Sequence, residues 1–158
     1  MLRSKMAAYF LHRYHSSAVN VGLLKGANPL NTPTTAGKPL ILIADDRPSS
    51  RELLRTVLER AGYDVIEAED GEQALAQARN RHPSLILLDL QMPRLDGFQV
   101  LQQLQEDPAF AAVPVLALTA SAMRGDREKI LAAGFTDYLA KPAGPEVLRE
   151  TVARLLRS

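Results

Sequence analysis

The chain has 158 residues, enough for one domain of ordinary size, and its 46% hydrophobic and 23% charged residues are typical of a globular protein with a buried core. It lacks cysteine, which excludes a disulfide framework, a thiolate zinc site and thiol catalysis, and which is compatible with a cytoplasmic location. The net charge is +1, but residues 39–158 contain 18 acidic and 14 basic residues, so this part is mildly acidic and offers no basic patch for direct nucleic-acid binding. The apolar runs are too short for a membrane span.

Residues 1–38 differ in composition from the rest of the chain. They contain basic residues but no acid, because all 18 acidic residues lie within residues 39–158. The stretch "KGANPLNTPTTAGKP" is rich in Pro, Thr, Asn and Gly and is typical of a linker. We interpret residues 1–38 as a disordered N-terminal extension and linker. A transit peptide, a membrane-surface segment or a wrongly assigned start site are the alternatives.

From residue 39 onward, short apolar runs alternate with helical patterns in one predicted domain, residues 39–158. The predicted strands are 39–44, 64–68, 84–89, 113–119 and 136–140. A helical pattern with an apolar stripe follows each of them. This alternation predicts an α/β fold, a doubly wound five-stranded parallel sheet with helices on both faces. In the flavodoxin-like strand order 2-1-3-4-5, the first and third strands are neighbours.

Capping residues suggest where the helices begin and end. In the first helix, Ser49 and Glu52 have the spacing of a capping box, and Gly62 is placed as a C-terminal stop. Asp70 is the candidate N-cap of the second helix, and the fourth helix is expected to end at Gly134.

Carboxylates stand at the ends of the first and third predicted strands. Asp45 and Asp46 come after the first strand, and Asp89 ends the third. Ligands of doubly wound sheets bind beyond the carboxyl ends of the strands, where the strand order reverses, so these three acids are expected to converge. Three close carboxylates repel one another unless a cation neutralises them. Oxygen ligands without His or Cys favour Mg²⁺ as that cation.

Two further polar residues stand at the ends of the fourth and fifth strands, Thr119 and Lys141. A hydroxyl and an ammonium opposite a carboxylate-bound cation suit a dianionic phosphoryl group. Asp89 is then the candidate nucleophile, because a carboxylate is already ionised at neutral pH and forms an acyl phosphate without a general base.

Each of these residues has a plainer explanation when it is taken alone. Asp45 and Asp46 could cap the first helix. Asp89 and Thr119 could belong to turns or caps, and Lys141 could be a solvated loop lysine. All five at the carboxyl ends of alternating strands would be an improbable coincidence, which favours a common site.

The sequence resembles the receiver domain of response regulators in two-component signalling, of the single-domain cell-cycle or chemotaxis type. The resemblance covers residues 39–157 and rests on "ADD", "LLDLQMPRLDG", "ALTASA" and "YLAKP", in that order. It implies that Asp89 accepts a phosphoryl group and that Lys141 contacts the phosphoryl oxygens. It also implies a Mg²⁺ site whose ligands are Asp45, Asp46, Asp89 and the backbone carbonyl of Gln91.

The same resemblance implies a switch formed by Thr119 and Tyr138, in which the hydroxyl moves to the phosphoryl group and the ring turns inward. It implies a cis peptide bond between Lys141 and Pro142. It further implies two partners. A histidine kinase or histidine phosphotransfer protein would approach the start of the first helix, and an unknown output protein would bind the face of the fourth helix, fifth strand and fifth helix.

The last predicted helix ends near Leu156, so we expect no output domain after it and expect the protein to signal through its own surface. The resemblance to receiver domains implies a monomer or weak dimer. We expect it to catalyse only its own phosphorylation and slow autodephosphorylation. Two rival functions remain. An aspartate-based phosphatase would normally have a second acid two residues after its nucleophile, where this chain has Gln91. A phosphorylation-independent interaction module would have the same fold and leave the acids unused.

Overall fold

The structure is a computed structural model that describes residues 37–121 and 123–158. The predicted extension over residues 1–38 lies outside the described residues, apart from residues 37 and 38. In the described part, the strands are β1 (Leu40–Ala44), β2 (Asp64–Ala68), β3 (Leu85–Asp89), β4 (Val115–Thr119) and β5 (Asp137–Ala140). They pair in parallel in the order β2-β1-β3-β4-β5, which confirms the predicted sheet.

A helix follows each strand, as the alternating patterns predict. The helices are α1 (Pro48–Arg60), α2 (Gly71–Arg81), α3 (Gly97–Gln105), α4 (Arg124–Ala133) and α5 (Pro145–Arg157). A short 3₁₀ turn at Pro108–Phe110, which the sequence patterns did not predict, lies between α3 and β4. Among the residues described, no helix has the length and apolar character needed to cross a membrane.

Two hydrophobic clusters cover the two faces of the sheet, because alternate residues of a strand point to opposite faces. Leu42 and Ile86 belong to the cluster that packs under α2, α3 and α4. Ile43 and Leu87 belong to the cluster under α1 and α5. The central strands β1, β3 and β4 are buried almost throughout, which explains why each is a continuous apolar run. Packing on both faces fixes the carboxyl ends of these strands relative to one another.

The start of α1 differs from the prediction. The helix begins at Pro48, with Arg47 as N-cap and no side-chain cap, so the predicted capping box of Ser49 and Glu52 is wrong. Proline is favoured in the first turn of a helix, because its missing N–H would have no intrahelical partner there. Pro48 therefore starts the helix one residue before Ser49, which lies inside the first turn.

The other predicted caps are confirmed. Asp70 caps α2 and accepts a hydrogen bond from the Gln73 backbone N–H at 2.8 Å. Gly134 ends α4 with φ at 109°, in the left-handed region that favours glycine. Gly62, with φ at 95°, follows the last turn of α1.

Candidate functional site

The polar residues of the predicted site lie at the edge of the sheet where the parallel strands end. Asp89 is the last residue of β3, and Thr119 is the last residue of β4. Asp45 directly follows β1, and Lys141 directly follows β5. The parallel register brings these strand ends to the same level, so side chains that are far apart in sequence meet at one edge.

Three carboxylates form a cluster at this edge. One carboxylate oxygen from each of Asp45, Asp46 and Asp89 lies within 4.8 Å of the other two. Asp45 is fully buried and Asp89 is 5% exposed, whereas Asp46 faces solvent. The predicted convergence of the three acids is therefore observed, and the cluster opens to solvent on the side of Asp46.

Lys141 is the cation beside this cluster. Its Nζ donates hydrogen bonds to Asp45 Oδ2 at 2.7 Å and to Asp89 Oδ2 at 2.9 Å. Asp45 also accepts hydrogen bonds from the Arg47 backbone N–H at 2.9 Å and from the Ser50 hydroxyl at 2.6 Å. Lys141 contacts two of the three carboxylates, and its single positive charge leaves the cluster with an excess of negative charge.

Burial and hydrogen bonding act in opposite directions on these groups. Burial raises the pKa of Asp45, but hydrogen bonds from Lys141, Ser50 and a backbone N–H outweigh it, so the pKa lies below its ordinary value. For Asp89 burial dominates and raises the pKa, with hydrogen bonds from the Gln91 N–H and Lys141 opposing it only in part. Burial lowers the pKa of Lys141, yet its hydrogen bonds to both carboxylates raise it above the ordinary value. Of these two buried carboxylates, Asp89 is therefore the one for which burial outweighs the hydrogen bonds.

Cavities approach Asp89 from two sides. An open cleft of about 700 Å³ lies between the start of α1 and the segment after β5, and its walls include Arg47, Leu53 and Pro142. A second cavity of about 350 Å³ is lined by Asp89 and Thr119, together with residues of α3 and α4. A ligand bound in either cavity would contact the Asp89 side of the cluster.

The predicted switch residues have partners of their own. Thr119 is buried, and its hydroxyl donates to the Ser121 carbonyl oxygen at 2.7 Å and accepts from the Ser121 N–H at 3.1 Å. The Tyr138 ring is half-buried, and the Arg127 guanidinium lies 5.8 Å from its centroid. In the part of the chain that the structure describes, the Thr119 hydroxyl is thus bonded within its own loop and not to Asp89.

The loop after β3 wraps closely around Asp89. The Gln91 backbone N–H donates to Asp89 Oδ1 at 3.0 Å, and Gln91 lines both cavities. At the start of α3, a Cβ added to Gly97 would lie 2.5 Å from the Asp89 carbonyl oxygen, so a larger residue would displace the loop. The peptide bond between Lys141 and Pro142 is cis, as the sequence resemblance implied.

Arg51 is a buried base behind the acidic cluster that the sequence patterns did not single out. It is 8% exposed, and its Nη1 donates to the Asp45 carbonyl oxygen at 2.8 Å. A signal for it was present, because Arg51 has helical spacing with Leu54 and Leu58 and therefore lies on the buried face of α1. A charged residue in such a stripe requires an acidic partner, which β2 supplies as Glu67.

The donor atoms of the cluster fit a hard divalent cation. The three carboxylates offer only oxygen ligands, which is the ligand chemistry of Mg²⁺ and Ca²⁺. One oxygen of each carboxylate lies within 4.8 Å of the other two, and the exposure of Asp46 leaves the cluster open to ions from solvent.

Known proteins are similar in sequence to most of the described domain. Residues 41–153 match the family described as "Response regulator receiver domain". The chain is 43% identical over 120 residues to "Probable transcriptional regulator ycf27" of Porphyridium aerugineum, covering 76% of this chain and 49% of that protein. It is 37% identical over 116 residues to "Polar-differentiation response regulator DivK" of Brucella ovis, covering 73% and 94%. The chain thus spans about half the length of the first protein and nearly all of the second.

Solved structures share the architecture as well. Chemotaxis protein CheY4 of Vibrio cholerae superimposes with a TM-score of 0.71 at 32% identity, covering 75% of this chain and 99% of CheY4. The receiver domain of the sensor histidine kinase PA1611 of Pseudomonas aeruginosa, solved with a magnesium ion in its active site cleft, gives a TM-score of 0.72 at 35% identity over 77% and 100% of the chains. The matched family, these relatives and the common strand order show that the chain belongs to the response regulator receiver domains of two-component signalling.

Proposed function

We propose that residues 39–158 form a receiver domain that acts as a phosphorylation-dependent switch and accepts a phosphoryl group on Asp89. The position of Asp89 carries this proposal. It is the last residue of a fully buried strand, it lies within 4.8 Å of two other carboxylates, and its Oδ2 lies 2.9 Å from Lys141 Nζ. A carboxylate held in this way is presented in one orientation, as a nucleophile requires.

The proposed donor is a phosphohistidine of a histidine kinase or histidine phosphotransfer protein. An Asp89 carboxylate oxygen forms a bond to phosphorus while the phosphorus–nitrogen bond of the donor breaks. The electron pair of that bond returns to the imidazole, and an acyl phosphate remains on Asp89. Lys141 already contacts this carboxylate and supplies positive charge where the phosphoryl oxygens would lie. The donor would reach Asp89 through the cleft beside α1.

The proposed cofactor is Mg²⁺, held by Asp45, Asp46, Asp89 and the backbone carbonyl of Gln91. When bound, it would neutralise the carboxylates and the phosphoryl oxygens. The residues of the chain prepare this site by orienting its ligands. Asp45 is fixed by three hydrogen-bond donors, whereas Asp46 faces solvent. The excess of negative charge at the cluster supports the same assignment.

The proposed switch links the site to the surface through Thr119 and Tyr138. On phosphorylation, the Thr119 hydroxyl would exchange the Ser121 carbonyl for a phosphoryl oxygen, and Tyr138 would turn inward and leave Arg127. Both changes alter the face formed by α4, β5 and α5, where we place the unknown output partner of a monomer or weak dimer. The phosphoryl group shifts this equilibrium only through contacts that differ between the two conformations.

Phosphorylation by a small donor tests the proposal directly. Wild-type protein is incubated with Mg²⁺ and acetyl phosphate, and its intact mass is measured with time. We expect a gain of one phosphoryl group in the wild type and in Asp64→Asn, whose exposed carboxylate lies at the opposite end of β2. We expect no gain in Asp89→Asn or in wild-type protein incubated with EDTA.

The other functions make different predictions in the same experiment. Continuous turnover of varied phosphoesters, without accumulation of the modified chain, would indicate an aspartate-based phosphatase. An unchanged wild-type mass would contradict the switch and favour an interaction module that works without phosphorylation. A mass gain that persists in Asp89→Asn would show that the phosphoryl group is bound elsewhere.

A further inference from the structure

A buried guanidinium connects the main chain of the acidic cluster to the neighbouring strand. Arg51 lies on the inner face of α1, and its Nη1 donates to the backbone carbonyl oxygen of Asp45 at 2.8 Å. Its Nη2 contacts Glu69 at 3.2 Å, and its Nε lies 3.6 Å from Glu67. The planar fork of arginine allows one side chain to serve all three acceptors.

The residue that Arg51 contacts is the most constrained acid of the site. The Asp45 carboxylate is held by Lys141, by the Ser50 hydroxyl and by the Arg47 N–H. Those bonds orient the side chain, whereas Arg51 is bonded to the main chain of the same residue. Asp46 is the next residue, so a shift of the Asp45 carbonyl would move both carboxylates that follow β1.

We propose that Arg51 is a positioning residue, which sets the place of the Asp45–Asp46 segment and thereby the affinity of the acidic cluster for Mg²⁺. This inference rests on the proposed function, since it concerns the same metal site. Arg51 touches neither the metal ligands' carboxylates nor the phosphoryl position, and it acts through the Asp45 main chain. Groups that support metal ligands from behind in this way typically change metal affinity by about 10- to 100-fold when they are removed.

A purely structural role is the competing explanation, and the chain contains a matched control for it. Arg55 lies one turn further along α1 and pairs with Glu67 at 2.8 Å. It thus shares with Arg51 the same helix, the same strand partner and the same charge. Within the residues that the structure describes, Arg55 makes no hydrogen bond or ion pair with Asp45. A general effect of the ion pairs between α1 and β2 should therefore appear in variants of both arginines, whereas a positioning effect should appear for Arg51 alone.

The test compares Arg51→Met, Arg51→Lys and Arg55→Met with the wild type. Mg²⁺ binding is measured by isothermal titration calorimetry, and hydrogen exchange of the Arg47 amide is measured in metal-free protein. That amide donates to the Asp45 carboxylate and reports its position without any metal. We expect Arg51→Met to weaken Mg²⁺ binding about 10-fold or more and to speed exchange at Arg47. Arg51→Lys keeps the charge without the planar fork, so we expect its Mg²⁺ affinity to lie between those of Arg51→Met and the wild type. We expect the Mg²⁺ affinity of Arg55→Met to stay within about twofold of the wild-type value.

Each outcome decides the matter. Equal Mg²⁺ affinity in Arg51→Met and the wild type, or an equal loss in Arg55→Met, would overturn the positioning role while the proposed function stood. Failure of the wild type to bind Mg²⁺ would contradict the proposed function and the positioning role together. If Arg51→Met does not fold, Arg51→Lys carries the test, and wild-type affinity with unchanged Arg47 exchange in that variant would refute the inference.

Discussion

Replacing Lys141 by methionine should make the metal-free protein less stable and make its response to Mg²⁺ larger. The ammonium lies 2.7 Å from Asp45 and 2.9 Å from Asp89, and each contact corresponds to about 6 kcal/mol at an effective dielectric constant of about 20. The desolvation of the buried groups offsets much of that attraction. Removing one partner of a buried ion pair lowers the free energy of unfolding by at least about 3 kcal/mol. We expect a loss of about this size for Lys141→Met.

Urea unfolding followed by circular dichroism would measure this difference in EDTA and in saturating MgCl₂. Mg²⁺ and the ammonium compete for the same carboxylates, so we expect Mg²⁺ to bind Lys141→Met more tightly and to restore much of the lost stability. Hydrogen bonds to the two carboxylates raise the pKa of Lys141 above its ordinary value of 10.5 in the folded protein. The stability that its charge contributes is therefore complete below pH 10.5 and is lost only as the pH rises through the higher folded-state pKa. The pKa of Asp45 is lowered from 3.8, so the stability gained from its ionised form is present above 3.8 and is lost as the pH falls through the lower folded-state pKa.

An exposed lysine provides the control. Lys38 lies before β1 and faces solvent, so Lys38→Met should stay within about 0.5 kcal/mol of the wild type. If Lys141→Met unfolds at the wild-type urea concentration in EDTA at pH 7 and has the same Mg²⁺ dependence, the charge balance described for the acidic cluster is wrong.

Three further predictions concern stability, and each is tested by measuring the free energy of unfolding in urea. Gly71→Ala should lower the free energy of unfolding by about 2 kcal/mol, because an added Cβ would overlap the carbonyl oxygen of Leu95. The control is Gly125→Ala in α4, where the space around the glycine is open, and this change should be neutral or stabilising. Equal effects of the two would show that the overlap is relieved at no cost. Asp96→Ala should cost about 1 kcal/mol by removing the capping box of α3, and Asp96→Ser should recover most of it. Leu87→Ala, fully buried on β3, should cost about 3 kcal/mol, and a loss below that of Asp96→Ala would contradict its place in the core.

Much of the site could be anticipated because its residues stand at strand ends. Continuous apolar runs identify buried parallel strands, and the polar residue that ends each run must lie at the carboxyl edge. Asp45, Asp89 and Lys141 were placed in this way, and they lie within hydrogen-bond distance of one another or of a shared partner. The helical spacing of Arg51 with Leu54 and Leu58 could have shown that it is buried, but its partner, the Asp45 backbone carbonyl, could not be predicted because no sequence pattern marks it.

Local signals were less reliable where two of them competed. Ser49 and Glu52 have capping-box spacing, but Pro48 starts α1 earlier and leaves Ser49 within the helix. The Ser50 hydroxyl, which no capping rule selects, instead binds the Asp45 carboxylate at 2.6 Å. Which residue becomes the N-cap depends on how the chain enters the helix. Here the buried end of β1 fixes that entry, and Arg47 is the N-cap.

The amino-acid sequence by itself determined the alternation of strands and helices, the parallel sheet and the identity of the acids at its edge, because these follow from periodicity and from residue type. Only the tertiary structure decided how the charges are shared. It placed Lys141 between Asp45 and Asp89, bonded the Thr119 hydroxyl to Ser121 and set Arg51 behind the cluster. Those contacts join residues from different strands and helices, and their distances depend on packing of the whole sheet rather than on any local pattern.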